Sequence, residues 1–247
     1  MSWGNVTFLY DNIGVYTATS EESGFEDDNL TDGLESTHWT ATSTATQELI
    51  HDAGLGNTVT ADFMALGGHN LSGCTVTLKE SSDAISYSDV VAGFVVSDNK
   101  SLAKFFTSTT NRAFKVIISG ASVASYVTTL YIGEKVELKK ANLYDPYRRK
   151  RSQEITYTEG GRVAGAVINF TERLVNLKFK NCINALYAKV DTWFTGHGLK
   201  VFFMLWEPTS HSADVWPVIS IDSDFNAPYV VSGELRDISI GLRGLAE

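Results

Sequence analysis

Across the first 140 residues the hydrophobic side chains come in short alternating runs, and Ser, Asn, Gly or Asp interrupts each run early. That grammar restricts the chain to β-structure. Successive side chains of a strand point to opposite faces, so a period of two marks a half-buried strand. The runs expected as strands are Thr7–Tyr10, Gln47–His51, Val59–Leu66, Thr75–Glu80, Val90–Val96, Ser101–Phe106, Ala113–Ser119 and Tyr126–Leu138. In one of them Phe114, Val116 and Ile118 alternate with Lys115 and Ile117. Short strands at even spacing predict an antiparallel β-sandwich of jelly-roll type over residues 1–140.

The grammar then changes. All four prolines lie beyond residue 145, and Ala141–Gln153 combines Pro146 with the basic run Arg148–Arg151, which reads as a linker. Beyond it, Glu154–Thr158, Val163–Phe170 and Leu174–Phe179 read as strands around a Gly160-Gly161 turn. A helix is expected at about residues 181–194, where Ile183, Leu186, Tyr187, Val190 and Phe194 share a face and Gly196 and Gly198 follow. Strands Leu199–Trp206, Trp216–Ser220 and Gly233–Leu242 complete an α+β unit over residues 154–247.

At 247 residues and 43% hydrophobic content, the chain can bury one large core or two modest ones. No apolar run approaches the roughly 20 residues of a membrane helix, so no membrane insertion is expected. The start of the chain shows neither a basic region nor an apolar stretch of a secretory signal. The net charge is −9, and its acidity lies in residues 1–140, which hold 17 Asp and Glu against 8 Lys and Arg. A surface of that sign repels phosphate backbones, and nucleic-acid recognition is not expected. Cys74 and Cys182 read as two buried free thiols.

Residues 28–71 contain an Asp32-Gly33 turn, then Thr37-His38-Trp39, then a strand, an Asp52–Gly56 turn and a second strand. This stretch resembles the front half of a discoidin-type, galactose-binding-like jelly roll. That resemblance implies a module that binds glycans, lipids or proteins through its loops, with no catalysis. The second half resembles the tube-forming domain of tailed-bacteriophage tail proteins, on its single helix with Leu186, Tyr187 and Trp193, the apolar strand after Gly198, the Trp216-Pro217 strand and the closing strand Glu234–Ile240. Distal tail and minor tail (baseplate) proteins are the nearest in pattern, although there the ring-forming part typically precedes the carbohydrate-binding-like part. The resemblance implies a virion protein assembled in the host bacterial cytoplasm. It would form a ring, six copies by analogy, that continues the tail tube, with other tail proteins and host surface glycan as partners. The competing reading is a lectin-like carbohydrate-binding module, with or without calcium.

For glycan, the candidates are Trp39, His38 and His69, although Trp39 reads more readily as core beneath the loops. For a structural Ca2+, the hard oxygens of Asp27, Asp28, Asp32 and the distant Glu134 qualify, against ordinary turn and cap roles for the same residues. No other cofactor is expected. For subunit contacts the candidates are Arg148, Arg149, Arg151, Arg162, Trp193 and Arg236, since arginines and aromatics are enriched at interface centres. Tyr144, Tyr147, Trp206 and Trp216 read either as core or as such anchors. The five histidines show no zinc-ligand spacing. Asp222 and Asp224 form the best local carboxylate pair for a glycosidase, but a solvated turn explains them, and no enzyme is expected.

Overall fold

The computed structural model describes residues 4–10, 14–142, 145–222, 226–231 and 233–245. The fold is mainly β, with every strand pair antiparallel. The strands are β1 (Thr7–Leu9), β2 (Thr17–Ala18), β3 (Trp39–Thr40), β4 (Gln47–Asp52), β5 (Val59–His69), β6 (Thr75–Ser81), β7 (Ser88–Val95), β8 (Leu102–Asn111), β9 (Ala113–Ser119), β10 (Tyr126–Gly133) and β11 (Val136–Glu137). They continue as β12 (Arg149–Tyr157), β13 (Val163–Ile183), the helix α1 (Asn184–His197), β14 (Phe202–Leu205), β15 (Val215–Ser220), β16 (Tyr229–Val231) and β17 (Leu235–Leu245).

Two sheets make the sandwich, in the orders β3-β10-β5-β8 and β2-β4-β9-β6-β7. Between them lies a dry core in which Trp39, Met64, Leu66, Leu130 and Ile132 meet Leu49, Leu78, Phe114, Val116 and Ile118. The expected alternation of Phe114, Val116 and Ile118 inward with Lys115 and Ile117 half-buried is what this core requires.

A third, eight-stranded sheet runs β11-β1-β14-β15-β17-β13-β12, with β16 on β17. It explains why Val201–Trp206 is apolar throughout rather than alternating. One face of β14, with Phe202 and Met204, joins Phe8 of β1 and Trp193 of α1 in a core beneath the helix. The opposite face, Phe203 and Leu205, joins Leu9, Phe63, Ala65, Tyr131 and Val215 in a buried seam against the outer side of the four-stranded sheet. A strand buried on both faces reads as a continuous hydrophobic run. β5 follows the same rule, sending Phe63 and Ala65 to the seam and Met64 and Leu66 into the sandwich.

The layers are therefore sheet, sheet, sheet, helix. Tyr131 ties the seam, its hydroxyl donating to the Val201 carbonyl at 2.9 Å. Gly67 permits the close approach, because a Cβ there would stand 2.7 Å from the Phe203 ring.

Several elements depart from the sequence expectation: β13 is one strand where two were expected, Tyr126–Leu138 is divided into β10 and β11, and α1 begins three residues later than expected. β1, expected among the sandwich strands, pairs instead with β14 and β11 of the large sheet. The end of the expected linker, Arg149–Gln153, is the start of β12. Its basic side chains are mostly exposed and show no apolar alternation, so pattern alone reads them as irregular. In α1, Leu186, Val190 and Trp193 are the buried residues, while Phe194 packs at the margin and Ile183 is exposed.

Candidate functional site

Trp39 opens β3 and His38 immediately precedes it, the first buried and the second half-buried. Trp39 is fully buried, and its Nε1 donates to the Ser20 carbonyl at 3.0 Å. Its ring has no face left for a sugar, so the glycan role expected for it gives way to the core role. His38 points outward between Phe25 (ring centroids 4.6 Å) and Tyr126 (5.5 Å). Phe25 and Tyr126 are 36% and 39% exposed, which leaves ring surface open to solvent.

The backbone under this group is pinned. Thr40 N–H donates to the Phe25 carbonyl, Asn29 Nδ2 donates to the His38 carbonyl, and Tyr126 N–H donates to Asn70 Oδ1. Glu21, Glu22 and Glu26 lie on the adjoining loop. Glu21 and Glu26 accept the Asp27 and Gly24 N–H groups. Aromatic faces flanked by carboxylates can take the apolar face and the hydroxyls of a pyranose. Sequence reasoning found His38 but not Phe25 or Tyr126. The β3–β10 pairing brings Tyr126 beside Thr40, and no local motif announces it.

His69, the third glycan candidate, is buried at the end of β5. Burial pushes its imidazole below the usual histidine range, against the Lys100 carbonyl and Asp98. A group held neutral inside the sandwich cannot reach a sugar.

The calcium candidates do not converge. Asp27 accepts the Ala18 N–H at 2.7 Å, and Asp32 accepts from the Leu34 N–H and the Thr37 hydroxyl. Glu134 is exposed beyond β10. Among the described residues no three His, Cys, Asp or Glu side chains gather where they could hold a metal ion. The residues present do not fit the expected Ca2+. Asp32 instead shapes the turn whose Gly33 (φ +79°) sits on the Lys200 side chain and accepts the Val201 N–H.

A cleft of about 520 Å³ opens between the sandwich and the large sheet, bordered by Phe94, Phe105, Tyr147, Arg149, Arg173 and Trp216. Tyr147 stands edge-on to Trp206 and Trp216, and its hydroxyl donates to Asp214 at 2.7 Å. Burial and this carboxylate push the phenol up to about 12. The Arg173 guanidinium lies 3.7 Å over the Trp216 ring. Arg173 also donates to the Pro146 carbonyl at 3.1 Å, which ties Tyr147 and Trp216 to the same wall of the cleft.

The expected interface residues divide. Trp193 is fully buried under α1, and Trp206 and Trp216 are nearly so, which makes them core. Arg236 is held between the Tyr187 and Tyr229 rings and donates to the Ala227 carbonyl. Arg148, Arg149, Arg151 and Arg162 are exposed. The last three lie on a two-stranded ribbon formed by β12 and the first half of β13, exposed almost throughout. Tyr144 and Asp224 lie outside the described residues. Asp222 accepts the Gly241 N–H at 2.6 Å, a structural use of its carboxylate. Cys74 and Cys182 are buried and free. No described helix is long and apolar enough to cross a membrane.

No family model matches the chain, and no curated protein matches it. Solved structures similar to it include a pectin-binding carbohydrate-binding module (18% identity, 49% of this chain and 91% of that one, TM-score 0.43). Also similar is chitosan-binding module 1 of a chitosanase/glucanase from Paenibacillus sp. IK-5 (19%, 50% and 97%, 0.43). A third is a CBM32 module from Clostridium perfringens solved with GalNAc-β-1,3-galactose (19%, 48% and 93%, 0.42). With TM-scores below 0.5, the β-sandwich rests on the chain's own sheets rather than on these likenesses.

Proposed function

We propose that the protein is a non-catalytic binding protein whose sandwich engages glycan through the surface of Phe25, His38 and Tyr126. The observation that carries this is the outward aromatic group itself, with two partly open rings around an imidazole on a rigid sheet and carboxylates on the next loop. Stacking of a planar base on a single aromatic ring is worth about 1–3 kcal/mol, and a pyranose face on Tyr126 is expected to contribute on the same order. Screening the protein on a glycan array, then titrating the best sugar calorimetrically, tests the reading. Tyr126→Ala is expected to weaken binding about tenfold or more while leaving the fold intact. Equal affinity of the variant for that sugar would remove this surface from the argument.

A second reading is favoured by a different observation. The β12–β13 ribbon exposes Ile155, Tyr157, Val163, Val167, Ile168 and Phe170 to water. Exposed apolar surface on this scale, with Ile155, Tyr157 and Ile168 sharing one face and Val167 on the other, marks a protein contact. It suits a structural subunit of a phage tail tip or baseplate, with the large sheet in an assembly and the sandwich projecting from it. Light scattering over a range of concentrations is expected to give a discrete multimer.

A further inference from the structure

The ribbon is the least self-sufficient part of the molecule. β17 pairs with β13 from Glu172 onward, so among the described residues no third strand stands beside the two between Ser152 and Phe170. The register sets Ile155 and Tyr157 opposite Ala166 and Val163, which puts an apolar strip on one face. Isolated two-stranded hairpins are marginal in water, so a ribbon of this composition calls for cover.

Its charge is opposite to that of the rest of the chain. The root carries Arg148-Arg149-Lys150-Arg151 and the tip carries Arg162. Among the described residues, Arg149, Arg151 and Arg162 enter no ion pair. By contrast, residues 1–78 contain eleven Asp and Glu and not one Lys or Arg. Seven of those acids fall between Glu21 and Glu35. That segment ends at an open hollow of about 350 Å³, bordered by Leu34, Glu35, Phe170 and Leu199, where the one arginine of the lining, Arg243, is paired with Glu172. Leu34 and Leu199 are 53% and 84% exposed.

We infer that the ribbon of one copy docks on the acidic, apolar-floored face at Leu34 and Leu199 of a second copy. This inference deepens the assembly reading above and rests on it. An apolar strip with basic flanks matches an apolar hollow with an acidic approach, and both halves of the match lie on the same chain. Reciprocal exchange of ribbons closes a dimer, and head-to-tail docking closes a ring; the contact is the same in both.

The test is sedimentation of the full chain at low and moderate salt, with circular dichroism confirming that each variant is folded. Wild type is expected to assemble, more weakly as salt rises. Arg149→Glu combined with Arg151→Glu is expected to lower the association constant at least tenfold. Glu35→Lys should do the same. Mixing these two variants should restore assembly, because each then offers the charge the other lacks. Failure of the mixture to recover would overturn the acidic face as the docking site. Assembly that survives both charge reversals but disappears in Ile155→Ser with Tyr157→Ser would also overturn that face, while leaving the assembly reading standing. A strict monomer at every concentration and salt would end both.

Discussion

His38 and Trp39 are neighbours in sequence with opposite fates, because a strand turns successive side chains to opposite faces. Truncating a buried Trp typically costs about 3–5 kcal/mol. Trp39→Ala is therefore expected to lower the denaturant midpoint sharply, while His38→Ala leaves it nearly unchanged. The Thr-x-Trp pattern made this pair visible in the sequence. Phe25 and Tyr126 were not visible, since only sheet pairing brings them to His38. His69 makes a second prediction at this scale. Its pKa is lowered in the folded state, chiefly by burial, so the unfolded chain binds the proton more readily. Its stabilising contribution is full above the unfolded histidine value of about 6.5 and shrinks as pH falls below it. Urea titrations at pH 7.5 and pH 5.5 should show that loss, and His69→Gln should reduce it.

At the scale of elements, the sequence was most legible where burial is one-sided. Ala113–Ser119 appears at its expected bounds because one face is core and the other is half-wet. β12 was obscured because its exposed side chains impose no apolar period. The β13 strand was read as two pieces because it changes environment along its length: Val163–Phe170 is exposed, whereas Val175, Leu177 and Phe179 are buried. The glycan surface and the ribbon were partly hidden for the same reason, as exposed residues carry little pattern. The ribbon's independence has a checkable consequence. Its Thr158–Gly161 turn makes only local backbone bonds. A trypsin-like protease should cut first near Arg162, and the nicked protein should keep its circular dichroism and nearly its full melting temperature. Early cleavage within β14 or α1 would contradict this account.

At the scale of the whole molecule, the seam of Leu9, Phe63, Tyr131, Phe203 and Val215 decides whether the two parts behave as one. With Phe203 buried between layers and Tyr131 bonded across them, heat is expected to unfold the protein in one calorimetric transition. Phe203→Ala should cost about 3–5 kcal/mol and split that transition in two, because it empties the space beneath Gly67 and loosens the shared face. Tyr131→Phe, which leaves the Val201 carbonyl without its buried donor, should cost about 1–3 kcal/mol and keep a single transition. The two variants thus separate packing from hydrogen bonding at one boundary.

The placement of Thr7–Leu9 bears on how the chain is made. The partner of this strand, Phe202–Leu205, leaves the ribosome almost two hundred residues later. At about 5–20 residues per second, that is a wait of roughly 10–40 s. During that interval the sandwich strands can already pair with one another, while Thr7–Leu9 has only the two-residue β11 beside it. Made long before β14, this strand is among the last to complete its pairing, and nascent chains halted before residue 202 should hold a formed sandwich with Thr7–Leu9 loosely held.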